Sequence, residues 1–412
     1  MSKPHNILIV GGGVAGLASA LALKKAGIDS VVLEARSPDE TTFGVFLTLG
    51  SNGLDALRTL DADARVREAG FPTPAITLRS GTGRRLGETP ISGTAPDAIP
   101  SVTIKRSDLY AALRDEVTER GLGIEYGRKL VDVRRAGEGV RAVFADGSEV
   151  EGDAIIGADG VHSTVRRLID SGAPAPVYAG LLNTGGYVRN VPVDVPPGTY
   201  EMIFGKRAFF GYVLSPAGEV WWFANLPRAD EPTRGELAGT GGAALRKHLL
   251  DLFAGDAGPA VRIVASTPEI TDLLPVHTIP HLPRWHDDRL VVIGDAAHAP
   301  SPSSGQGASL AIEDAVVLAR CLRDGRDVRS AFARFEAERR PRVEAIIKWA
   351  ARINNSKVAG PLGRVVRDAV LPIVLKLTAR SGMIGEMYDY HVDWGGPAAA
   401  SARSEVASTR AA

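Results

Sequence analysis

At 412 residues the chain exceeds the roughly 250–300 at which one hydrophobic core stops growing, so two domains are expected. Lys plus Arg and Asp plus Glu number 48 each; the formal net charge of zero gives no global pull toward nucleic acid or an anionic membrane and suits a small-molecule partner. A single cysteine, Cys321, excludes an intramolecular disulfide and a multi-cysteine metal site and fits a reducing, cytoplasmic location.

The apolar run at 7–10 (ILIV) reads as a buried strand, followed by glycines and a helical pattern from Val14 through Ala26 that Gly27 ends. The run is too short for a signal peptide and lacks a cleavage site after it. A second apolar run at 30–33 completes the strand–helix–strand unit of a parallel sheet. Between about 71 and 103, Gly, Pro and Thr with short apolar pieces predict an excursion into another sheet. A helix at 108–120, a hairpin-like stretch at 131–150 turning at Asp146-Gly147, and a strand at 154–156 bring the chain back. From about 174 to 284, alternating aromatic and β-branched residues with turns at 196–198 and 216–218 predict the main part of a mixed sheet. A strand at 290–293 and then mostly helix follow to about 380; the tail after Gly395 has no periodicity and is expected to be disordered.

The predicted fold class is therefore α/β. A Rossmann-like nucleotide-binding domain occupies 1–72, 104–173 and 285–350, an inserted mixed β-sheet substrate domain 73–103 and 174–284, a helical region 351–394 and a tail 395–412. The best candidate for a membrane span, 365–377, carries Arg367, Asp368, Pro372 and Lys376 and reads instead as a packed amphipathic helix.

Three segments carry chemistry. Gly11-x-Gly13-x-x-Gly16 sits between strand and helix, with Glu34 at the end of the next strand, eighteen residues past Gly16. Gly11 permits the tight turn, Gly13 lets the backbone approach a pyrophosphate, and Gly16 lets helix and strand pack closely. The helix N-terminus, with Val14 and Ala15 in its first turn, offers free N–H groups and its dipole to the phosphates, and Glu34 accepts from a ribose hydroxyl. The bland alternative is a glycine-rich structural turn, and the motif alone does not separate NAD from FAD. Far downstream lie GADGVHSTVRR at 157–167 and VVIGDAAHAPSPSSGQGASLAIEDA at 291–315. Asp295, in a Gly-Asp turn after a strand, can hydrogen-bond a polyol or simply cap the turn. Gly305-Gln306-Gly307-Ala308 opens a helix whose free N–H groups can bind an anion-like atom.

Together the three motifs resemble those of class A, single-component FAD-dependent aromatic hydroxylases, flavoprotein monooxygenases of the para-hydroxybenzoate hydroxylase fold, over about 1–350. The resemblance implies non-covalent FAD, with Asp295 on its ribityl chain, Gly305, Gly307 and Ala308 at the flavin pyrimidine carbonyl, and Pro302 against the flavin edge beside the substrate. It gives Asp159 a dual role toward FAD and NAD(P)H and places Arg106, in KRSDLY, near the FAD phosphate and ribityl. Ala35, Arg36, Val45 and Val131 complete the cofactor-binding set. Ser163 and Arg166 match the same motif, Arg166 being alternatively a surface ion-pair residue. The segment FGVFLTLGSNGLDAL at 43–57 resembles the family's G-x-G-x-x-L-x-P-N, but Phe46 replaces the second glycine and Ser51 the proline, so bulk at Phe46 moves the ring or narrows the pocket. Gly81-x-Gly83-x-x-x-Gly87 has the wrong spacing for a second dinucleotide site, so NAD(P)H is expected to bind transiently.

The implied reaction reduces FAD with NAD(P)H, forms a flavin hydroperoxide with dioxygen, and transfers oxygen to a small aromatic or polycyclic substrate by hydroxylation or epoxidation. Its chamber must exclude water. Aromatics at 204–223 are the expected wall. Strand alternation pairs Phe210 with Tyr212 and Trp221 with Phe223 but leaves open which face meets the ligand; Tyr212, Trp221 and Phe223 are the favoured contacts, ordinary core the alternative. Arg207 and Tyr187 are candidates to orient a phenolate or carbonyl. His298 reads as structural, and His277, His281 and His286 form no constellation, so no metal is expected. The chain is expected to be a monomer or homodimer. Two rivals remain: an FAD-dependent dehydrogenase or reductase of related fold, separable by oxygen reactivity, and a non-catalytic flavin-binding redox protein.

Overall fold

The computed structural model describes residues 6–40, 44–238, 242–301, 305–357, 360–380 and 383–396. Phe43, Pro302 and the tail from 397, which the sequence led us to expect disordered, lie outside the described residues.

Asn6–Val10 lies at the centre of a five-stranded sheet ordered Leu290–Val292, Ala154–Gly157, Asn6–Val10, Asp29–Leu33, Gly123–Glu125, and every pairing is parallel. Ile7, Leu8 and Ile9 are wholly buried because helices cover both faces, which is why the strand reads as continuous rather than alternating apolar sequence. Helix Val14–Ala26 buries every residue from Gly16 to Leu23, packed between this sheet and helix Gly307–Asp324. It stops at Gly27, whose φ of 72° is left-handed and whose N–H returns to the Leu23 and Lys24 carbonyls.

The second sheet has seven strands in the order Leu274–Thr278, Val177–Arg189, Glu219–Pro227, Phe209–Leu214, Tyr200–Phe204, Ala75–Ser80, Arg85–Pro90. It is mixed because Tyr200–Phe204 runs parallel to Ala75–Ser80, a strand contributed by the excursion near 71–103. The hairpin expected at 131–150 is a three-stranded meander, Leu130–Ala136, Gly139–Phe144 and Glu149–Gly152, with a turn at Gly137 that the sequence reading passed over. A further small sheet joins Phe46–Leu49, Val102–Lys105 and Phe71–Pro72.

The register of the seven-stranded sheet decides what the site sees. Tyr212 pairs with Trp222, Gly211 with Phe223 and Val213 with Trp221. Directly paired residues share a face, so Tyr212, Phe210 and Trp222 form one surface, packed on helices Gly242–Phe253 and Ala260–Ser266 through Leu249, Phe253, Ile263 and Val264. Trp221, Phe209, Phe204 and Tyr200 form the other and merge with the core of the nucleotide-binding domain.

Candidate active site

The first motif is built around close approaches. Gly11 has φ 104°, and a Cβ there would overlap the Ala158 carbonyl; one on Gly16 would overlap the Gly11 carbonyl, so strand and helix meet at van der Waals distance only because both lack side chains. A Cβ on Gly13 would meet nothing within 4 Å, so the space before the helix N-terminus is open. Glu34 uses one oxygen to accept from Gly12 N–H at 2.5 Å and the other from Arg36 N–H at 2.9 Å, bracing the glycine turn while its carboxylate stays at the turn's rim. The backbone around Ala35 is held from the far side, where Arg128 N–H donates to Glu34 O at 2.8 Å and Gly127 N–H to Arg36 O at 3.2 Å. That contact brings in the strand carrying Val131, an apolar side chain left 48% exposed.

Gly294, with φ 54°, packs between Ala15 and Ala311, a Cβ there lying 3.2 and 3.1 Å from their Cβ atoms, and so joins the first motif to the third. Asp295 follows in a short 3-10 turn and is exposed. Desolvation nonetheless raises its carboxyl pKa, with His298 and Arg106 opposing. Gly307 lies beside this carboxylate, where a Cβ would sit 3.9 Å from Asp295 Oδ1. Gly305 takes φ 63°, and the N-cap residue Gln306 does not cap helix Gly307–Asp324 with its side chain, so among the described residues no side chain caps the first N–H groups, those of Gly307 and Ala308 among them. Arg106 donates its backbone N–H to Val45 O at 3.0 Å and lays its guanidinium over Gly44. Val45, Arg106, Asp295 and Gly307 thus meet at one place although 262 positions separate the first from the last.

Two residues of the middle motif have local duties. Asp159 accepts from Ser163 Oγ at 2.5 Å and from the Thr164 and Val165 N–H groups at 2.7 and 3.1 Å, capping helix Thr164–Ile169. Burial still pushes its carboxyl pKa up. Arg166 is not a surface ion-pair residue. It is buried and donates to the Ala296 and Val161 carbonyls at 3.0 and 2.7 Å, tying this motif to the Gly-Asp loop because burial demands acceptors.

Beneath the loop that carries Asp295 is a buried ionic cluster that the sequence reading missed. Arg339, from the long helix Val328–Lys357, is wholly buried between Glu313 and Asp314, at 2.7 Å from each. Asp314 also accepts from Gly294 N–H at 3.0 Å and contacts His298 Nε2 at 2.5 Å. Glu313 pairs with Arg342 at 2.8 Å and accepts from Asn52 at 2.6 Å, and Asn52 donates to Gln306 at 2.9 Å. Burial alone would raise Asp314, but His298 and Arg339 outweigh it and hold its pKa at about 2. The loop bearing Asp295 and the residue preceding Gly307 therefore rest on one charged platform. The available signal was the pair Glu313-Asp314 inside an apolar helix, with ERRPR at 338–342 a helix later.

Beside Val45 stands the aromatic face. The Phe46 ring lies 5.9 Å from Trp221, 6.0 Å from Phe223 and 6.0 Å from Tyr200, and Phe71 reaches Trp221 at 5.1 Å. Tyr187 meets Trp221 edge-on at 5.8 Å and donates its hydroxyl to Val45 O at 2.5 Å, binding this sheet to the loop that carries Val45. Burial raises the Tyr187 pKa, so the hydroxyl remains a donor. Trp221 Nε1 donates to Glu219 at 2.8 Å, and Lys105 pairs with Glu219 at 2.9 Å while lying over the Tyr187 ring. Tyr212 does not join this group. Its hydroxyl donates to Glu201 at 2.7 Å on the opposite face, since its cross-strand partner is Trp222. Arg207 is exposed and donates to Asp251 O at 2.9 Å, away from the aromatic face.

An open turn before a helix N-terminus, a carboxylate at its rim, and a second carboxylate beside a second helix N-terminus make a donor and acceptor set that fits FAD. The chain belongs to the FAD binding domain family, which matches residues 5–350. Among its relatives are an aurachin C monooxygenase/isomerase of Stigmatella aurantiaca, 32% identical over 86% of this chain and 90% of that protein, and an FAD-dependent urate hydroxylase of Klebsiella oxytoca, 29% identical over 84% and 88%. HpxO of Klebsiella pneumoniae, solved with FAD and uric acid, superposes with a TM-score of 0.79 at 26% identity, covering 93% of this chain and 96% of its own. The protein is an FAD-dependent monooxygenase, and its fold class is the one expected from the sequence.

Proposed function

We propose that the enzyme uses NAD(P)H and dioxygen to place one oxygen atom on a small aromatic or polycyclic substrate held between the place where Val45, Asp295 and Gly307 meet and the face formed by Phe46, Trp221 and Phe223. The observation that carries this reading is the adjacency of the two: Tyr187 touches Trp221 and hydrogen-bonds Val45 in the same loop as Phe46. Non-covalent FAD supplies hydride acceptance and oxygen activation. Gly11, Gly13, Val14, Ala15 and Gly16 take the pyrophosphate, Glu34 with Ala35, Arg36 and Val131 the adenosine end, and Asp295 with Arg106 the ribityl. The N–H groups of Gly305, Gly307 and Ala308, at the start of helix Gly307–Asp324, would hold the pyrimidine end of the flavin and favour negative charge there. Asp159 keeps its helix cap and would meet NAD(P)H in passing.

The chain's own contribution to oxygen transfer is exclusion of water and orientation of a flat ring. Stacked or edge-on aromatic contacts add about 0.5–1.5 kcal/mol each beyond burial, enough to select one ring orientation. Phe46, where relatives of the motif have glycine, narrows this space, so the favoured substrates are flat. Lys105 and Glu219 bring charge to one edge and suit a polar substituent there.

The test is a screen of aromatic compounds against the holoenzyme, scored by NADPH oxidation, oxygen uptake and incorporation of isotopic oxygen from labelled dioxygen. Substrate-stimulated NADPH oxidation with label in the product is expected. Flavin reduction by substrate itself without NADPH would favour a dehydrogenase instead.

A further inference from the structure

Glu219 opens the strand Glu219–Pro227 and stands two residues before Trp221, so the two side chains share the inner aromatic face. Its Oε2 accepts from Trp221 Nε1 at 2.8 Å. The same oxygen lies 2.9 Å from Lys105 Nζ, and Oε1 lies 3.4 Å from Nε of Arg189, its cross-strand partner on Val177–Arg189. Donors from three strands thus meet on one carboxylate, whose side chain is only 13% exposed. Burial alone would raise its pKa, but Lys105, Trp221 and Arg189 outweigh it and hold it below the ordinary value, so the group remains ionised and an acceptor.

The indole needs that acceptor. Trp221 is buried, and a buried N–H left without a partner is costly. The rings around it are Phe71 at 5.1 Å, Tyr187 at 5.8 Å and Phe46 at 5.9 Å, with the Lys105 ammonium 5.2 Å from the indole centroid. A half-turn of the indole about its Cβ–Cγ bond carries the N–H away from Glu219 toward groups that do not accept as a carboxylate does. The lost hydrogen bond disfavours that orientation by roughly tenfold or more. Lys105 and Arg189 in turn keep the carboxylate from swinging away.

The hold on Trp221 shapes the wall around it. Phe46, which meets Trp221, also meets Phe223 and Tyr200 at 6.0 Å, so the tilt of the indole is passed to the rings against which a flat substrate lies. We propose that Glu219 is a positioning residue that holds the Trp221 indole in one orientation and so decides which carbon of a flat aromatic substrate receives oxygen. The hold on Trp221 stands alone, and the choice of carbon rests on the oxygen-transfer function proposed above.

Full-length, FAD-loaded enzyme is used throughout the test. The indole N–H resonance of Trp221 is the one of five that Trp221→Phe removes. It should exchange slowly with solvent in the wild type and in Glu219→Gln, whose amide oxygen still accepts, and fast in Glu219→Leu. With the aromatic compound that the screen above selects, Glu219→Leu should shift the ratio of oxygenated isomers and raise KM more than it lowers kcat. The rise in KM should be roughly twofold to tenfold, the worth of one aromatic contact. Trp221→Phe has no N–H to hold, so adding Glu219→Leu to it should change the isomer ratio no further. A fast-exchanging Trp221 N–H in the wild type overturns the proposal without recourse to any Glu219 variant. An isomer ratio that Glu219→Leu leaves alone while stability and kcat fall together marks a structural role only and overturns it, as does a ratio shifted equally in the Trp221→Phe background. The resonance is read without substrate. A failed oxygen-transfer function, seen as no labelled product from any aromatic, therefore removes the choice of carbon and leaves the hold on Trp221 to be decided by exchange.

Discussion

Arg339→Met removes the cation from the platform under the loop that carries Asp295 while keeping similar bulk. In the native protein the guanidinium is wholly buried, 2.7 Å from each of two wholly buried carboxylates. At an effective dielectric near 20, unit charges about 4 Å apart interact by roughly 4 kcal/mol, and breaking a buried pair typically costs about 3–5 kcal/mol. The lower part of that range applies, because Glu313 keeps Arg342 at 2.8 Å and Asp314 keeps the Gly294 N–H at 3.0 Å. Against a total stability on the order of 5–15 kcal/mol this is a large loss. The sign with pH follows from Asp314, whose folded pKa of about 2 lies below its ordinary value. A depressed carboxylate contributes stability above the unfolded pKa, about 3.9, and loses it as pH falls toward the folded value. Urea denaturation of both proteins followed by tryptophan fluorescence should show the full gap at pH 7 and a shrinking gap below about pH 4. Equal midpoints at pH 7, or a gap that stays constant down to pH 3, would refute the assignment of the cluster.

Asp295→Asn should weaken FAD about tenfold to a hundredfold, the equivalent of one charge-assisted hydrogen bond of roughly 1.5–3 kcal/mol, measured by titrating apoprotein with FAD. Unchanged affinity would remove Asp295 from the ribityl role. Tyr212→Phe should leave substrate affinity intact and cost about 1–3 kcal/mol of stability, because it removes the donor to Oε2 of the buried Glu201, whose other oxygen keeps Arg79. A tighter or looser substrate complex in that variant would return Tyr212 to the pocket.

The dinucleotide turn, the Gly-Asp loop and the presence of one parallel and one mixed sheet were legible because each depends on local pattern: glycines where a Cβ cannot fit, continuous apolar runs in parallel strands, alternation in antiparallel ones. Period two assigns faces within a strand and cannot align one strand to another. Tyr212 was therefore grouped with Trp221 and Phe223, although the register pairs it with Trp222. Arg166 and Arg339 were illegible for a related reason. An arginine becomes structural only when acceptors distant in sequence, here Ala296 O or Glu313 and Asp314, surround it. The exposed face of helix Pro361–Arg380 shows the same limit, since an amphipathic sequence does not say whether its apolar stripe faces the core or the solvent.

The central claim, that the inner aromatic face orients the substrate and keeps water from the flavin, is tested most directly by Trp221→Ala. Trp221 is 95% removed from solvent and touches Phe46, Phe71 and Tyr187, so its loss opens the chamber from the middle. Oxygenated product and hydrogen peroxide are measured per NADPH consumed, together with bound FAD. The account predicts full FAD content, weaker substrate binding and a larger peroxide fraction; normal affinity with product and NADPH still in step would contradict it.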